Sequence, residues 1–458
     1  MVGSFRPAKV ARALRAAGHD VDVVTARMPG ETAPVRPAPD GIRVHPVRAL
    51  RNPRHAYVWL KSKFAGSRNA SAGAPVPSRS GSGVGVTPPA RRPGWRRYAV
   101  SLLWVPDENQ GFIPTAFRKA RLLARGGIDL IYTTAPPFSD HLVGWALKRL
   151  TGAPWVMELR DPWGGRESRN PDARSALADR INNWLERRCL RAADKVIAVS
   201  APVYAQLEQR MGTAARERLY LVLNGIDEVR SVPPRTEAGR PFRIIHTGSL
   251  YNDPRPFLTA VGAIVARRNL GPSDLQVEFI GAEPRFENPT VDELAARLGL
   301  TGMVSFSGWI PQSAVRARID DADLLLLLCR GFPTAIPNKL FDYLGARKPI
   351  LGIVDPGGES DEVLRSQAGH LVVEGDQASS IEPLLERALD ERLARRRLLN
   401  DPDFLMAWST SSQMKQLLDI IGAGPGAPAN DRSAHAGKHA AALDNGSLAV
   451  ARSRAERP

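Results

Sequence analysis

Cysteine is scarce in this 458-residue chain: Cys189 and Cys329 are the only two, 140 positions apart. That scarcity excludes a disulfide scaffold. No metal-ligand spacing of Cys and His occurs either, and a reducing cytoplasm is the compartment such usage suits. Long apolar runs are also lacking. The longest is Leu324–Cys329, far below the roughly 20 residues that cross a bilayer. Arg6, Lys9 and Arg12 near the start are not followed by an apolar run, so no secretory signal is expected. Acidic residues are missing altogether from 51 to 97, a stretch with ten Lys and Arg.

What is present is ordinary for a globular protein: 43% hydrophobic and 24% charged residues, which excludes whole-chain disorder. The length calls for two or three domains. The net charge of +16 points to an anionic partner if taken alone. Most of it belongs to the acid-free stretch, and the remainder of the chain reads as only mildly basic. Residues 66–94 are rich in Gly, Ser, Pro and Ala without periodicity. They cannot bury enough apolar surface to offset ordering, so a disordered insertion is expected there and again over 423–458. Basic and aromatic residues flank the insertion at His55–Phe64 and Trp95–Trp104. Such patches suit peripheral contact with an anionic membrane; the alternative is a loop and helix packed on the domain edge. No nucleic-acid module is present, so a nucleic-acid partner is not expected.

Along the chain, strands and helices alternate. Helices are predicted at 7–17, 141–151, 175–192, 256–268, 291–298 and 338–346. Strands are predicted at 20–25, 41–47, 129–133, 155–159, 195–199, 219–223, 243–246, 276–280, 304–307, 324–328 and 350–354. This is the pattern of two doubly wound α/β domains with parallel sheets, facing across a cleft that is the default ligand site. The N-terminal domain is expected over 1–228, a polar Pro-containing linker over 229–240 and the second domain over 241–403. A C-terminal helix at 404–421 is expected to pack back on the N-terminal domain. The N-terminal domain lacks the strand that normally precedes its first helix, and a sheet without it exposes two interior edges. This predicts a translation start further upstream, or else a genuinely shortened domain.

One segment carries chemistry on its own terms. In Pro337-Asn-Lys-Leu-Phe-Asp-Tyr-Leu344, Pro337 pre-sets a helix start, and helix N-termini attract phosphate. Lys339 adds a full charge in the first turn. Asp342, three positions on, lies on the same face and can accept ribose hydroxyls. The alternative is an ordinary amphipathic helix with a surface lysine and aspartate. Asp321-Ala-Asp323 resembles a metal motif but precedes a buried strand, so it reads as a helix-to-strand turn and no metal is expected.

Further motifs follow in order: Gly3–Lys9 with Ala17-Gly-His19; Pro106-Asp107; Arg160-Asp-Pro-Trp163; Ala193–Ile197 with Ser200; Asn224-Gly-Ile-Asp227; Gly248-Ser-Leu-Tyr251 with Arg255; Gly308-Trp-Ile-Pro311; and Lys348-Pro-Ile350 after the Pro337 segment. Together they resemble the retaining glycosyltransferases of family 4, with the GT-B fold, especially bacterial members that build cell-surface polysaccharides. The resemblance covers residues 1–421 apart from the insertion.

It implies transfer of a sugar from a UDP- or GDP-sugar donor to a hydroxyl or lipid-linked sugar acceptor, with no cofactor. The place of action would be the cytoplasm, or the inner face of the plasma membrane. On the donor side it implies Gly248, Ser249 and Arg255 at the pyrophosphate, Trp309 and Ile310 beside the base, and Pro337, Asn338, Lys339 and Asp342 at diphosphate and ribose. Trp309 reads equally well as core. On the acceptor side stand Gly3, Ser4, Thr133, Thr134 and Asp161, with Asp161 the candidate to orient or deprotonate the acceptor hydroxyl. Asp161 also reads as the partner of Arg160 in a structural ion pair. Arg255 and Lys339 would stabilise the leaving diphosphate. His19 and His141 read as structural. The family's signature is two glutamates separated by seven residues. Asp342 matches the second, but Thr334 stands at the first, which leaves the sugar contacts open. A GT-B epimerase or hydrolase, and a non-catalytic nucleotide-sugar-binding homologue, are the alternatives.

Overall fold

The computed structural model describes residues 5–27, 41–50, 101–163, 175–230, 239–250, 252–281, 291–334, 336–390 and 399–422. The expected disordered segments, most of the linker, the two basic-aromatic patches up to Val100, and Gly3 and Ser4 lie outside these residues. The chain divides into two compact units. The first holds the described residues up to Leu223 together with 413–422; the second holds 224–412. The division falls at Leu223/Asn224, ahead of the boundary expected after 228. The reason is local: the Arg230 N–H donates to the Gly345 carbonyl (2.8 Å) and the Arg230 guanidinium pairs with Asp320 (2.8 Å). Residues 224–230 are therefore part of the second unit.

The first unit begins with α1 (Phe5–Ala16), β1 (Val21–Arg27) and β2 (Ile42–Arg48). It continues with α2 (Phe112–Ala124), β3 (Ile131–Ala135), α3 (Ser139–Thr151), β4 (Trp155–Leu159), α4 (Ala176–Ala192) and β5 (Lys195–Ala198). It ends with α5 (Ala201–Met211), the single turn α6 (Ala215–Arg218) and β6 (Leu219–Leu221). β1 and β2 form a parallel pair, while β3-β4-β5-β6 form a parallel sheet. Among the described residues no ladder joins the pair to the four; helix α2 packs against β1 and β2 and against α3.

Strand periodicity assigns the two faces of that sheet. Trp155, Met157 and Leu159 of β4 point to one core with Leu147, Cys189, Val203 and Leu207 from α3, α4 and α5. Val156 points to the other, with Val10 and Leu14 of α1 and Met414, Leu417 and Ile420 near the C-terminus. By the same alternation Glu158 lies on the Val156 face, fully buried. Its carboxylate accepts from Arg6 Nε (2.8 Å), the Tyr132 hydroxyl (2.6 Å) and Thr134 Oγ1 (2.7 Å). Arg6 also donates to the carbonyls of Val222 (2.9 Å) and Leu223. The buried charge is thus paired and hydrogen-bonded, which is the condition for tolerating it.

The second unit runs β7 (Phe242–Thr247), α7 (Arg255–Arg268), β8 (Leu275–Ile280), α8 (Val291–Arg297), β9 (Val304–Gly308), α9 (Gln312–Asp321) and β10 (Leu324–Cys329). Then come α10 (Asn338–Ala346), β11 (Ile350–Val354), α11 (Glu359–Ser366), β12 (Leu371–Val372), α12 (Ala378–Asp390) and α13 (Pro402–Ala407). The sheet is wholly parallel in the order β12-β11-β10-β7-β8-β9. β10 is buried along its whole length, as befits a central strand covered on both faces. Asp321 and Asp323 are ion-paired to Arg243 and Arg240, which pins the α9–β10 turn to the start of β7.

The C-terminal helix expected at 404–421 is two helices, α13 and then α14 (Thr410–Gly422). The break comes where the backbone of Ile226 pairs with Trp408 and Thr410: its N–H donates to the Trp408 carbonyl (2.7 Å) and its carbonyl accepts from the Thr410 N–H (2.8 Å). A continuous helix would consume those same groups internally. Removing one partner of a buried ion pair costs about 3–5 kcal/mol. Glu158→Ala, which leaves Arg6 buried and unpaired, should lower the urea-unfolding free energy by that amount, and Glu158→Gln by less.

Candidate active site

In an open parallel sheet, ligands bind beyond the carboxyl ends of the strands, where the strand order reverses. In the second unit that point lies between β7 and β10. From β7 the chain builds outward through β8 and β9, and then returns to lay β10 on the other side. The segments leaving these two strands carry the expected donor residues. Gly248 follows β7, and Pro337 to Asp342 follow β10.

Helix α10 is docked at this point by Tyr343. Its buried hydroxyl accepts from the Thr247 N–H (2.8 Å) and from Thr247 Oγ1 (3.2 Å), and donates to the Leu326 carbonyl (3.4 Å). Lys339 is one turn earlier on the same face. Its Nζ donates to Nε2 of buried His246 (3.0 Å). The Nδ1–H of His246 is spent on the Leu326 carbonyl (3.0 Å), which fixes Nε2 as the acceptor. Burial, with the Lys339 charge, holds His246 well below the usual imidazole range. Burial likewise pushes Lys339 down to about 8.

Gly248 has a left-handed backbone (φ +83°), and a Cβ there would lie 3.7 Å from Lys339 Nζ. The ammonium therefore stands directly over this loop. Gly281, at the end of β8, closes it from the other side. A Cβ on Gly281 would fall 2.5 Å from the Gly248 carbonyl oxygen, and its φ of +143° suits glycine. Backbone bonds continue across the strand ends, from the Gly248 N–H to the Ile280 carbonyl (2.7 Å) and from the Gly281 N–H to the Gly308 carbonyl (2.9 Å). The result is a smooth backbone floor with one lysine above it, a geometry that admits a phosphate closely.

Other donor-side residues are placed as follows. Ser249 and Ile310 are half-buried beside this floor, and Asn338 is exposed at the start of α10. Pro337 takes the N-cap position with extended backbone. Asp342 is exposed while Leu340 and Leu344 are buried. Trp309 is 66% exposed, so it is not a core residue. Arg255 opens α7, and its guanidinium is held by Asp253 (Nε to Oδ2 2.6 Å). Thr334 is half-buried in the loop after β10. Asp355 braces that loop by accepting from the N–H groups of Gly331 (3.0 Å) and Phe332 (2.7 Å). The Glu359 N–H donates to the Pro333 carbonyl (2.9 Å), and burial with the neighbouring Glu362 pushes the Glu359 carboxyl up to about 7.

In the first unit, Thr133 Oγ1 receives the Trp155 indole N–H (2.9 Å) and meets His141 Nδ1 (2.8 Å). Thr134 donates to Glu158. Both hydroxyls are thus engaged within the unit. His141 is buried and its pKa is pushed down to about 3, a structural neutral imidazole. Asp161 is exposed just beyond the carboxyl end of β4. Arg160 donates to the Pro136 carbonyl.

Some roles were not read from the sequence, among them that of Asp107, which enters there only as part of a motif. Asp107 accepts from Ser139 N (2.8 Å), Ser139 Oγ (2.7 Å) and Asn109 N (2.7 Å). Asp140 beside it is pushed up to about 8 by burial and by Asp107. His246 and Gly281 were missed because a histidine inside a strand and a glycine after one are unremarkable without their neighbours.

Residues 81–230 match the family model Glycosyltransferase Family 4. No curated protein matches the chain in sequence. Among solved structures, the chain is similar to sucrose-phosphate synthase from Thermosynechococcus elongatus, at 15% identity over 90% of this chain and 91% of that one, with a TM-score of 0.57. A glycosyltransferase from Rickettsia africae is similar at 13% identity, 92% and 96% coverage and a TM-score of 0.50. The N-terminal domain of trehalose-6-phosphate phosphatase from Candida albicans matches at 12% identity, 83% of each chain and a TM-score of 0.52. At these identities the likeness is one of fold: GT-B, with two Rossmann-like α/β units.

Gly281→Ala places a methyl group against the Gly248 carbonyl in a backbone region that favours glycine. It should cost about 1–3 kcal/mol in urea unfolding. Gly248→Ala, which meets only Lys339 at ordinary contact distance, should cost less.

Proposed function

We propose that the protein is a retaining glycosyltransferase that moves a hexosyl group from a UDP- or GDP-sugar to a hydroxyl acceptor. The observation that carries this reading is Lys339 poised over the Gly248–Gly281 floor at the topological switch point. The family model matched by residues 81–230 supports it. In the proposed reaction the bond from the anomeric carbon to the diphosphate breaks. Lys339 takes up the developing charge, assisted by Arg255 once it is shared between Asp253 and the ligand. The acceptor hydroxyl attacks from the same face and gives its proton to the leaving phosphate oxygen. Asp161 orients the acceptor, Asp342 holds the ribose and Trp309 stands beside the base. The acceptor we propose is a hydroxyl or lipid-linked sugar in cell-envelope polysaccharide synthesis, met at the inner face of the plasma membrane, with the Lys and Arg of 51–97 in peripheral contact with anionic lipid.

Lys339→Ala should abolish release of nucleoside diphosphate from the donor in a coupled assay; unchanged turnover refutes the assignment. A panel of nucleotide sugars screened by thermal stabilisation identifies the donor, with about 2.7 kcal/mol expected at a ligand concentration of 100 Kd.

The lysine also sets a pH dependence. Its pKa in the folded protein is lowered to about 8, and only the charged form neutralises diphosphate. Nucleoside diphosphate affinity should therefore be constant below that pH and fall as pH rises through it, by up to tenfold per unit. Calorimetry between pH 6.5 and 9.5 should also show proton uptake on binding above pH 8. Lys339→Arg, charged throughout, should flatten the profile.

A further inference from the structure

Helices α2, α3 and α4 lie side by side on one face of the first unit, with α3 in the middle. Their inner sides are conventional: Phe112 and Ala116 of α2, Leu147 of α3, and Cys189 and Leu190 of α4 are buried. Their outer sides are not. On α2 the exposed residues Arg118, Arg121, Leu122 and Arg125 fall at i, i+3, i+4 and i+7, one stripe of the helix surface. On α4 the exposed residues Leu177, Arg180, Trp184, Arg187, Arg188 and Arg191 make a second stripe. Arg149 and Leu150 are exposed between them at the end of α3.

Eight exposed arginines therefore share one layer. Among the described residues no salt bridge joins any of the eight to a carboxylate. The acids of the same helices are withdrawn: Glu186 is buried against Arg210, and Asp140 and Asp179 are half-buried. Elsewhere exposed arginines do find partners, as Arg267 does with Glu382 and Glu386. Exposed arginines without a carboxylate partner thus gather on this layer in helical register.

The layer is also apolar where a soluble surface has no need to be. Of the nine exposed large hydrophobic residues among the described residues, four lie on it: Leu122 (53%), Leu150 (54%), Leu177 (41%) and Trp184 (50%). The Arg188 guanidinium stacks over Trp184 at 5.4 Å, and Arg149 over Trp145 at 5.7 Å. A nucleic-acid backbone would use the charges but gains nothing from exposed leucines. A headgroup region uses both, because phosphates meet the guanidinium groups while Trp and Leu enter the acyl boundary.

We infer that the outer face of α2, α3 and α4 docks the protein on a bilayer containing anionic lipid. The inference is independent of the sugar-transfer reading and concerns a different part of the chain from the basic stretch at 51–97. Its test is cosedimentation of the full chain with phosphatidylcholine vesicles, with and without phosphatidylglycerol, at 0.1 M salt. The wild-type protein should bind only the anionic vesicles. Each arginine near the surface contributes about fivefold. The triple variants R118A/R121A/R125A and R187A/R188A/R191A should therefore each lose roughly a hundredfold. Trp184→Ala should lose binding at all salt concentrations, and the losses of both triple variants should persist in a background with Lys61, Lys63, Arg96 and Arg97 changed to Ala, which separates this face from the basic stretch. All these side chains on α2 and α4 are exposed, and circular dichroism melts should match wild type. Failure of wild type to bind, or binding by both triple variants as tight as wild type, overturns the inference. Stronger binding of duplex DNA or RNA through the same arginines overturns it in favour of a nucleic-acid surface.

Discussion

The second unit depends on the tyrosine hydroxyl that fastens α10 across the gap between β7 and β10. One buried oxygen bonds to the backbone of both strands, at Thr247 and at Leu326. That fixes the helix in rotation as well as position. The residue a turn earlier, Lys339, has no other place to go than over Gly248. His246 then completes the arrangement by accepting from the lysine, its own tautomer held by a carbonyl of β10. A cation half removed from water normally demands a carboxylate. Here it is offered a neutral imidazole, and so it keeps its appetite for an anion.

Charge in this molecule has three distinct fates. Some of it is buried and fully satisfied, as in Arg6 with Glu158, where it ties α1 to the ends of β4 and β6. Some is spent on exposed pairs that contribute little individually. A third part is left without a carboxylate partner, as in Lys339 over its loop and the arginines in register along α2 and α4, and can still gain free energy from an outside partner. The net charge of the whole chain mixes the three and distinguishes none of them.

Much of the architecture was legible because parallel strands buried on both faces announce themselves: LLLLLC at 324–329 and WVMEL at 155–159 admit few other readings. Lys339 and Gly248 were legible because each sits at a strand-to-helix transition with a physical reason for its residue type. What was not legible depended on which side of an element faces which neighbour. Helix α2 escaped notice because its exposed stripe is arginine and its buried one largely alanine, a weak hydrophobic signal. Glu158 looked like a polar residue in a strand until Arg6, more than 150 positions earlier, came to lie against it. The break at Trp408 is set by the backbone of Ile226, and nothing in residues 404–421 themselves encodes it. Thr133 and Thr134 stand at a strand end as expected, yet their hydroxyls serve the interior.

Helix α14 carries a consequence for the order in which the chain matures. Its later turns, through Met414, Leu417 and Ile420, complete a core that otherwise consists of Val10, Leu14, Val156, Ile197 and Val222. During synthesis those five emerge long before their partners, with the whole second unit translated in between. The first unit to leave the ribosome is thus the last to finish folding, and it carries an open apolar face throughout that interval. That face stays open until residues 414–420 have been made. A stop codon just before 413 would remove only a short tail by length, yet it would leave the earliest-made part of the protein permanently unsealed.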